Sequence, residues 1–155
     1  MELILWRHAE AEPVQPGQED ETRALTAKGL KQAAKMGEWL DRHLPSTCKV
    51  LASPARRTVQ TAEALGRKFK THPALAIEST PEKILETAHW PENREPVLMI
   101  GHQPLLGQVA SLVIAGTKQD WTIRKANFLW IAKKAEEEAQ TIYIRAILGP
   151  DLVGK

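Results

Sequence analysis

The run Leu3-Ile4-Leu5-Trp6-Arg7-His8-Ala9-Glu10 decides how the rest of the chain is read. Four consecutive apolar residues lead straight into an arginine and a histidine. The run is too short for a helix and has no helical periodicity, so it reads as a buried strand of a parallel sheet. In open α/β sheets, ligands sit just beyond the carboxyl ends of the strands. Arg7 and His8 are therefore expected on the floor of a cleft. A buried arginine also needs an anion beside it, either a carboxylate or a phosphate.

Outward from this strand, residues 11–25 are polar and punctuated by Pro13, Pro16 and Gly17. They read as a long loop bordering a site. Thr26 suits the N-cap of a helix with apolar positions Leu30, Ala33, Ala34, Gly37, Leu40 and Leu44, closed by Pro45 and Ser46. Residues 49–53 form a second strand, stopped by Pro54. That proline opens a second helix, expected to run through Val59, Ala62 and Leu65 to about Phe69. Residues 71–79 read as a loop with a short strand at 75–77, and Pro81 opens a helix over 82–89. Val97-Leu98-Met99-Ile100 is the clearest strand and ends at Gly101-His102. Pro104 then opens a helix with Leu105, Leu106, Val109, Leu112 and Val113 on its buried side. A loop at 116–125, containing Trp121 and Arg124, precedes closing strands at 127–132 and 141–148. The charged turn between them, Lys133-Lys134 and Glu136-Glu137-Glu138, reads as solvated. This order predicts a three-layer α/β/α sandwich in a single domain over 1–155. Its central sheet should be mostly parallel, with an antiparallel edge allowed at the C-terminus.

Lysine and arginine number 21 against 19 acids in 155 residues, a formal net charge of +2. The interspersed charges give no support for a general nucleic-acid or membrane surface. One cysteine, Cys48, excludes an internal disulfide and suits a reducing compartment. The apolar start is too short for a signal peptide, so a cytoplasmic location is expected. Metal-ligand spacing is missing and adjacent arginines would repel a cation, so neither a zinc site nor any other cofactor is expected. Neither Gly-x-Gly-x-x-Gly nor a Walker A loop appears.

Each clear strand ends in residues able to handle an anion: Arg7-His8, then Ser53-Pro54 leading to Arg56 and Arg57, then Gly101-His102. Cations in the first turn of a helix oppose its macrodipole, and an anion at that end removes the conflict. Such an anion would also meet unpaired backbone N–H groups, including the amide of Gln103. The three features point to one shared anion site. His43, His72 and His89 read as ordinary surface or loop residues.

These residues resemble the histidine phosphatase superfamily, most closely its small SixA-type phosphohistidine phosphatases. The matching stretches are Arg7-His8 after a strand, Arg23 in Arg-Ala-Leu-Thr-x-x-Gly, Ser53-Pro54-x-x-Arg57-x-x-Gln60-Thr61, and Gly101-His102-x-Pro104. The resemblance implies a phosphoglycerate-mutase-like fold and a nucleophilic His8 that becomes phosphorylated. It makes Arg7, Arg57 and His102 ligands of the phosphoryl oxygens and places Arg23 near the pocket. The family's glycine after Arg-His is Ala9 here. No carboxylate matches a general acid, leaving Glu10, Glu78, Glu82 and Glu86 as candidates on composition.

A nucleophilic imidazole must be neutral, with its other nitrogen donating to a backbone carbonyl. His102 is expected to be protonated beside a bound phosphate dianion. Imidazole leaves more readily than an alkoxide, which favours a phosphoramidate substrate. The expected function is a metal-independent phosphohistidine phosphatase. Its partner would be a phosphorylated protein such as a histidine-containing phosphotransfer domain, with no nucleic acid or membrane involved, and the chain would act as a monomer. The alternatives are a general phosphomonoesterase on small metabolites and a phosphate- or phosphoprotein-binding module without turnover.

Overall fold

The computed structural model describes residues 1–134 and 141–153. Strand β1 (Glu2–Arg7) is central, and Leu3, Ile4, Leu5 and Trp6 are all fully buried. Each contributes about 2 kcal/mol by leaving water. Their alternation divides the core in two. Ile4 and Trp6 face one hydrophobic cluster, and Leu3 and Leu5 face the other.

The remaining strands are β2 (Lys49–Ala52), β3 (Lys70–Thr71), β4 (Val97–Gly101), β5 (Phe128–Lys133) and β6 (Ile142–Leu148). They form one six-stranded sheet in the order β3-β2-β4-β1-β5-β6. The pairings β1–β4, β2–β4 and β2–β3 are parallel, whereas β5 runs antiparallel to both β1 and β6. The antiparallel edge allowed by the sequence is present, and β5 is the reversed strand.

Helices α1 (Ala27–His43) and α2 (Arg56–Glu63) cover one face of the sheet. Helices α3 (Pro81–Thr87) and α4 (Leu105–Ala115) cover the other. This is the expected three-layer arrangement. Thr26 caps α1 by accepting the Gly29 N–H at 2.9 Å. The α1 stripe is rotated from its expected phase: Gly29, Ala33, Met36, Gly37 and Leu40 are buried, while Leu30 and Ala34 are exposed. The reason is a close approach, because a side chain at Gly29 would collide with the Glu10 carbonyl.

Helix α2 stops at Glu63, short of Phe69. Gly66 at φ +75° turns the chain out of the helical region, which glycine does without a steric penalty. The strand expected at 75–77 is instead a 3-10 turn, Pro73–Leu75. His72 accepts the Ala74 N–H at 3.0 Å and starts that turn, while β3 pairs two residues earlier. Of the expected charged turn, residues 136–138 lie outside the described residues.

Candidate active site

The carboxyl ends of β1, β4 and β2 lie side by side, because these three strands are neighbours in the sheet. β1 ends in Arg7-His8, β4 leads into His102, and β2 leads through Ser53 into α2. The loops beyond them enclose a cavity of about 300 Å³ lined by Arg7, His8, Asp20, Arg23, Arg57, His102, Gln103 and Lys125, among others. The residues singled out at the three strand ends therefore share one pocket. Arg56 does not join them. It is exposed, while Arg57, one position on, is buried.

His8 is 7% exposed, and the site fixes its tautomer. Its Nδ1–H donates to the Ala9 carbonyl at 2.7 Å, and Nε2 has no partner among the described residues. The backbone is pinned on both sides: His8 N–H donates to Gly101 O, and Ala9 N–H to Thr61 Oγ1 at 3.1 Å. Burial pushes the His8 pKa down to about 4, helped by the charges of Arg57, Arg7 and Arg23 and opposed by the Ala9 hydrogen bond. His8 is neutral at neutral pH.

His102 sits beside it, with ring centroids 5.4 Å apart. Arg57 Nη2–H points at His102 Nδ1 at 3.4 Å, so Nε2 carries the hydrogen and donates to Ser53 Oγ at 2.8 Å. Burial and the Arg57 charge hold the His102 pKa down at about 3. A guanidinium thus faces the nitrogen that would take a proton, which favours the neutral ring.

Arg57 is 2% exposed and reaches Asp20 twice, through Nη1 to the backbone carbonyl and Nη2 to Oδ2, both at 2.9 Å. Arg23 Nε binds the other carboxylate oxygen, Oδ1, at 3.0 Å. Asp20 thus bridges two guanidiniums, as an oxyanion would. Burial alone would raise its pKa, but the hydrogen bonds and charges of Arg57 and Arg23 take it below the usual carboxylate value. Arg7 donates through Nη1 to Ile123 O at 3.0 Å. The Nε atoms of Arg7 and Arg57 are buried with no acceptor among the described residues.

Asp20 is the residue that sequence reasoning missed. Its signal is the Asp-x-x-Arg spacing to Arg23, folded into a 3-10 turn (Asp20–Thr22) that aims both side chains at the same place. None of the four glutamates considered as acids lines the pocket. Glu78, Glu82 and Glu86 are exposed, and Glu10 faces a neighbouring groove, where it accepts from Thr26 Oγ1 at 3.2 Å. Gln103 does line the pocket. Its side chain is committed to Trp121 O and the Gly107 N–H, each at 2.8 Å, while its own backbone N–H has no partner among the described residues. The 116–125 loop is held by that contact and brings Lys125 to the rim.

The family model for the histidine phosphatase superfamily (branch 1) matches residues 3–82. A phosphohistidine phosphatase SixA homolog of Haemophilus influenzae is 25% identical over 167 residues, spanning 94% of this chain and all of the relative. An uncharacterized protein of Picosynechococcus is 31% identical over 146 residues, spanning 87% of each chain. Among solved structures, the protein histidine phosphatase SixA complexed with tungstate superposes with a TM-score of 0.80 at 22% identity, covering 97% of this chain and 98% of that one. No described helix is long and apolar enough to cross a membrane.

Proposed function

This chain belongs to the histidine phosphatase superfamily (branch 1), and from that premise we propose that it is a phosphohistidine phosphatase acting on a phosphorylated protein. Family and relatives together support phosphatase activity. The observation that carries the assignment of the nucleophile is His8 itself. It is a neutral imidazole with Nδ1 committed to Ala9 O, set among Arg7, Arg57 and Arg23.

Phosphoryl transfer depends mainly on positioning and on stabilising charge over the equatorial oxygens. The incoming phosphoryl group displaces the Asp20 carboxylate from Arg57. Its oxygens then meet Arg7, Arg57 and the free Gln103 N–H. The dianion raises the His102 pKa, and His102 Nδ1 takes up a proton and donates it in a hydrogen bond. The substrate ring carries a proton from solvent on its other nitrogen; His8 Nε2 attacks phosphorus, the P–N bond breaks, and the substrate leaves as neutral imidazole. Water then attacks phospho-His8, releasing inorganic phosphate and restoring the neutral imidazole. Arginine charge does the work of charge stabilisation, so turnover is independent of added metal.

The choice of a phosphoramidate rests on the carboxylate. Among the described residues lining the pocket, Asp20 is the one acid, and two arginines keep it ionised. It is a poor proton donor. An alkoxide leaving group needs such a donor, whereas imidazole, with a conjugate-acid pKa of about 6.5, does not.

The test compares a phosphohistidine-bearing protein with sugar phosphates, with and without chelator. We expect the higher kcat/KM for phosphohistidine, no effect of chelator, and a loss of roughly a thousandfold or more in His8→Ala. Faster hydrolysis of the sugar phosphates overturns the substrate class. Phosphate binding without turnover of any donor would make the protein a binding module.

A further inference from the structure

Beside the catalytic pocket lies a second, larger groove of about 660 Å³ that shares Arg7 and Lys125 with it. Its walls carry Lys28, Lys31 and Lys35 from α1 on one side and Arg124 and Lys125 from the 116–125 loop on the other. Glu10 and Asp151 are its acidic residues. None of these five cations forms an ion pair among the described residues. Lys35 does donate to the Pro150 carbonyl at 3.2 Å.

One of the lysines is placed against local preference. Lys28 stands in the first turn of α1, which has no acidic residue there to balance it. Cations there oppose the helix macrodipole. An anion lying along the groove would reverse that penalty.

The groove is also held in a fixed relation to His8. Thr26 N–H donates to Glu10 O at 3.0 Å, and Glu10 N–H donates to Gln32 Oε1 at 3.1 Å. Helix α1 is thus tied to the segment two residues beyond His8, with Gly29 allowing the contact. Lys28 to Lys35 spans about 10 Å along the helix at 1.5 Å per residue, more than one phosphate can cover. Long aliphatic stems beside charged heads suit an extended polypeptide better than a small ion.

We infer that this groove binds an acidic polypeptide segment next to the phosphohistidine of the substrate protein, an inference that rests on the phosphohistidine reading above. Binding there would lower KM for a phosphoprotein without altering the chemistry at His8.

The test uses phosphohistidine peptides with acidic, neutral or basic flanks, and a small donor such as phosphoramidate. In the wild-type enzyme, KM should be lowest for acidic flanks and rise with salt. In Lys28→Ala/Lys31→Ala/Lys35→Ala, KM for the acidic peptide should rise roughly tenfold, while kcat and phosphoramidate turnover stay unchanged. The single variant Lys31→Ala, on an exposed position, should show a smaller shift in the same direction and guards against a folding defect. An equal KM for all three flanks, or an unchanged KM in the triple variant, overturns the inference. So does a variant that loses affinity for an oligonucleotide but not for the acidic peptide. If no phosphohistidine peptide is turned over while phosphomonoesters are, it is the underlying substrate reading that has failed.

Discussion

His8 and His102 are buried and neutral, and that state makes the protein sensitive to acid. Their pKa values of about 4 and about 3 lie below the ordinary value of 6.5. Between those limits the unfolded chain binds more protons than the folded one, so stability falls as pH falls. The contribution is complete above pH 6.5. By pH 5 the loss is on the order of 2 kcal/mol for each histidine. Denaturant midpoints measured from pH 7.5 to 4.5 should drop accordingly, with a flatter profile in a His8→Asn/His102→Asn variant; a profile no steeper in wild type than in that variant contradicts the assignment. Asp20 makes the second residue-scale prediction. Because it occupies the guanidiniums that phosphate needs, Asp20→Asn should bind inorganic phosphate about three- to tenfold more tightly by calorimetry. Weaker binding would mean that Asp20 organises the arginines and does not compete with the ligand. Arg7, His8 and His102 could be chosen from sequence because they stand at strand ends, and Arg57 could be set apart from Arg56 by its place in the Ser53-Pro54-x-x-Arg57 stretch. Asp20 could not, since it comes from an irregular loop whose path depends on tertiary contacts. The surroundings of His102 were hidden for a similar reason: no pattern in the chain reveals that Arg57 faces its Nδ1.

At the scale of elements, α2 does more than supply Arg57. Gln60 Oε1 accepts the Leu25 N–H at 2.7 Å, and Thr61 Oγ1 accepts the Ala9 N–H. Ser53 Oγ receives His102. The stretch from Ser53 to Thr61 is therefore a clamp that fixes the loop carrying Asp20 and Arg23 and the turn after His8. Helix α1 is placed by a different device, the contact of Gly29 with Glu10. Gly29→Ala should force α1 away from that turn and cost about 1–3 kcal/mol of stability, with a fall in kcat from the disturbed His8 backbone. Thermal denaturation and kinetics check both, and an unchanged melting temperature would show that the contact relaxes freely. Five strands and the helix starts were legible because apolar runs, Thr26 and the prolines mark them locally, whereas β3 is the exposed pair Lys70-Thr71 and carries no apolar run. The phase of α1 and the end of α2 were not. The first is set by a backbone approach from residue 10, and the second by a glycine that carries no apolar signal.

For the molecule as a whole, function follows from sheet order. β2, β4 and β1 are adjacent and parallel, so three segments far apart in the chain deliver their terminal residues to one edge. β5 and β6 extend the sheet on the far side of β1, and the 116–125 loop returns across the mouth to add Lys125. The result is a small pocket lined by arginines and histidines beside a long basic groove. His8 is expected to receive the phosphoryl group on Nε2, since Nδ1 is committed to Ala9 O. The most direct measurement is ³¹P and ¹⁵N NMR of enzyme quenched during turnover of a phosphohistidine protein. A single phosphoryl group bonded to His8 Nε2, and none in His8→Asn, is the predicted result. Phosphoryl on Nδ1, on another residue, or on no residue while turnover continues would contradict it.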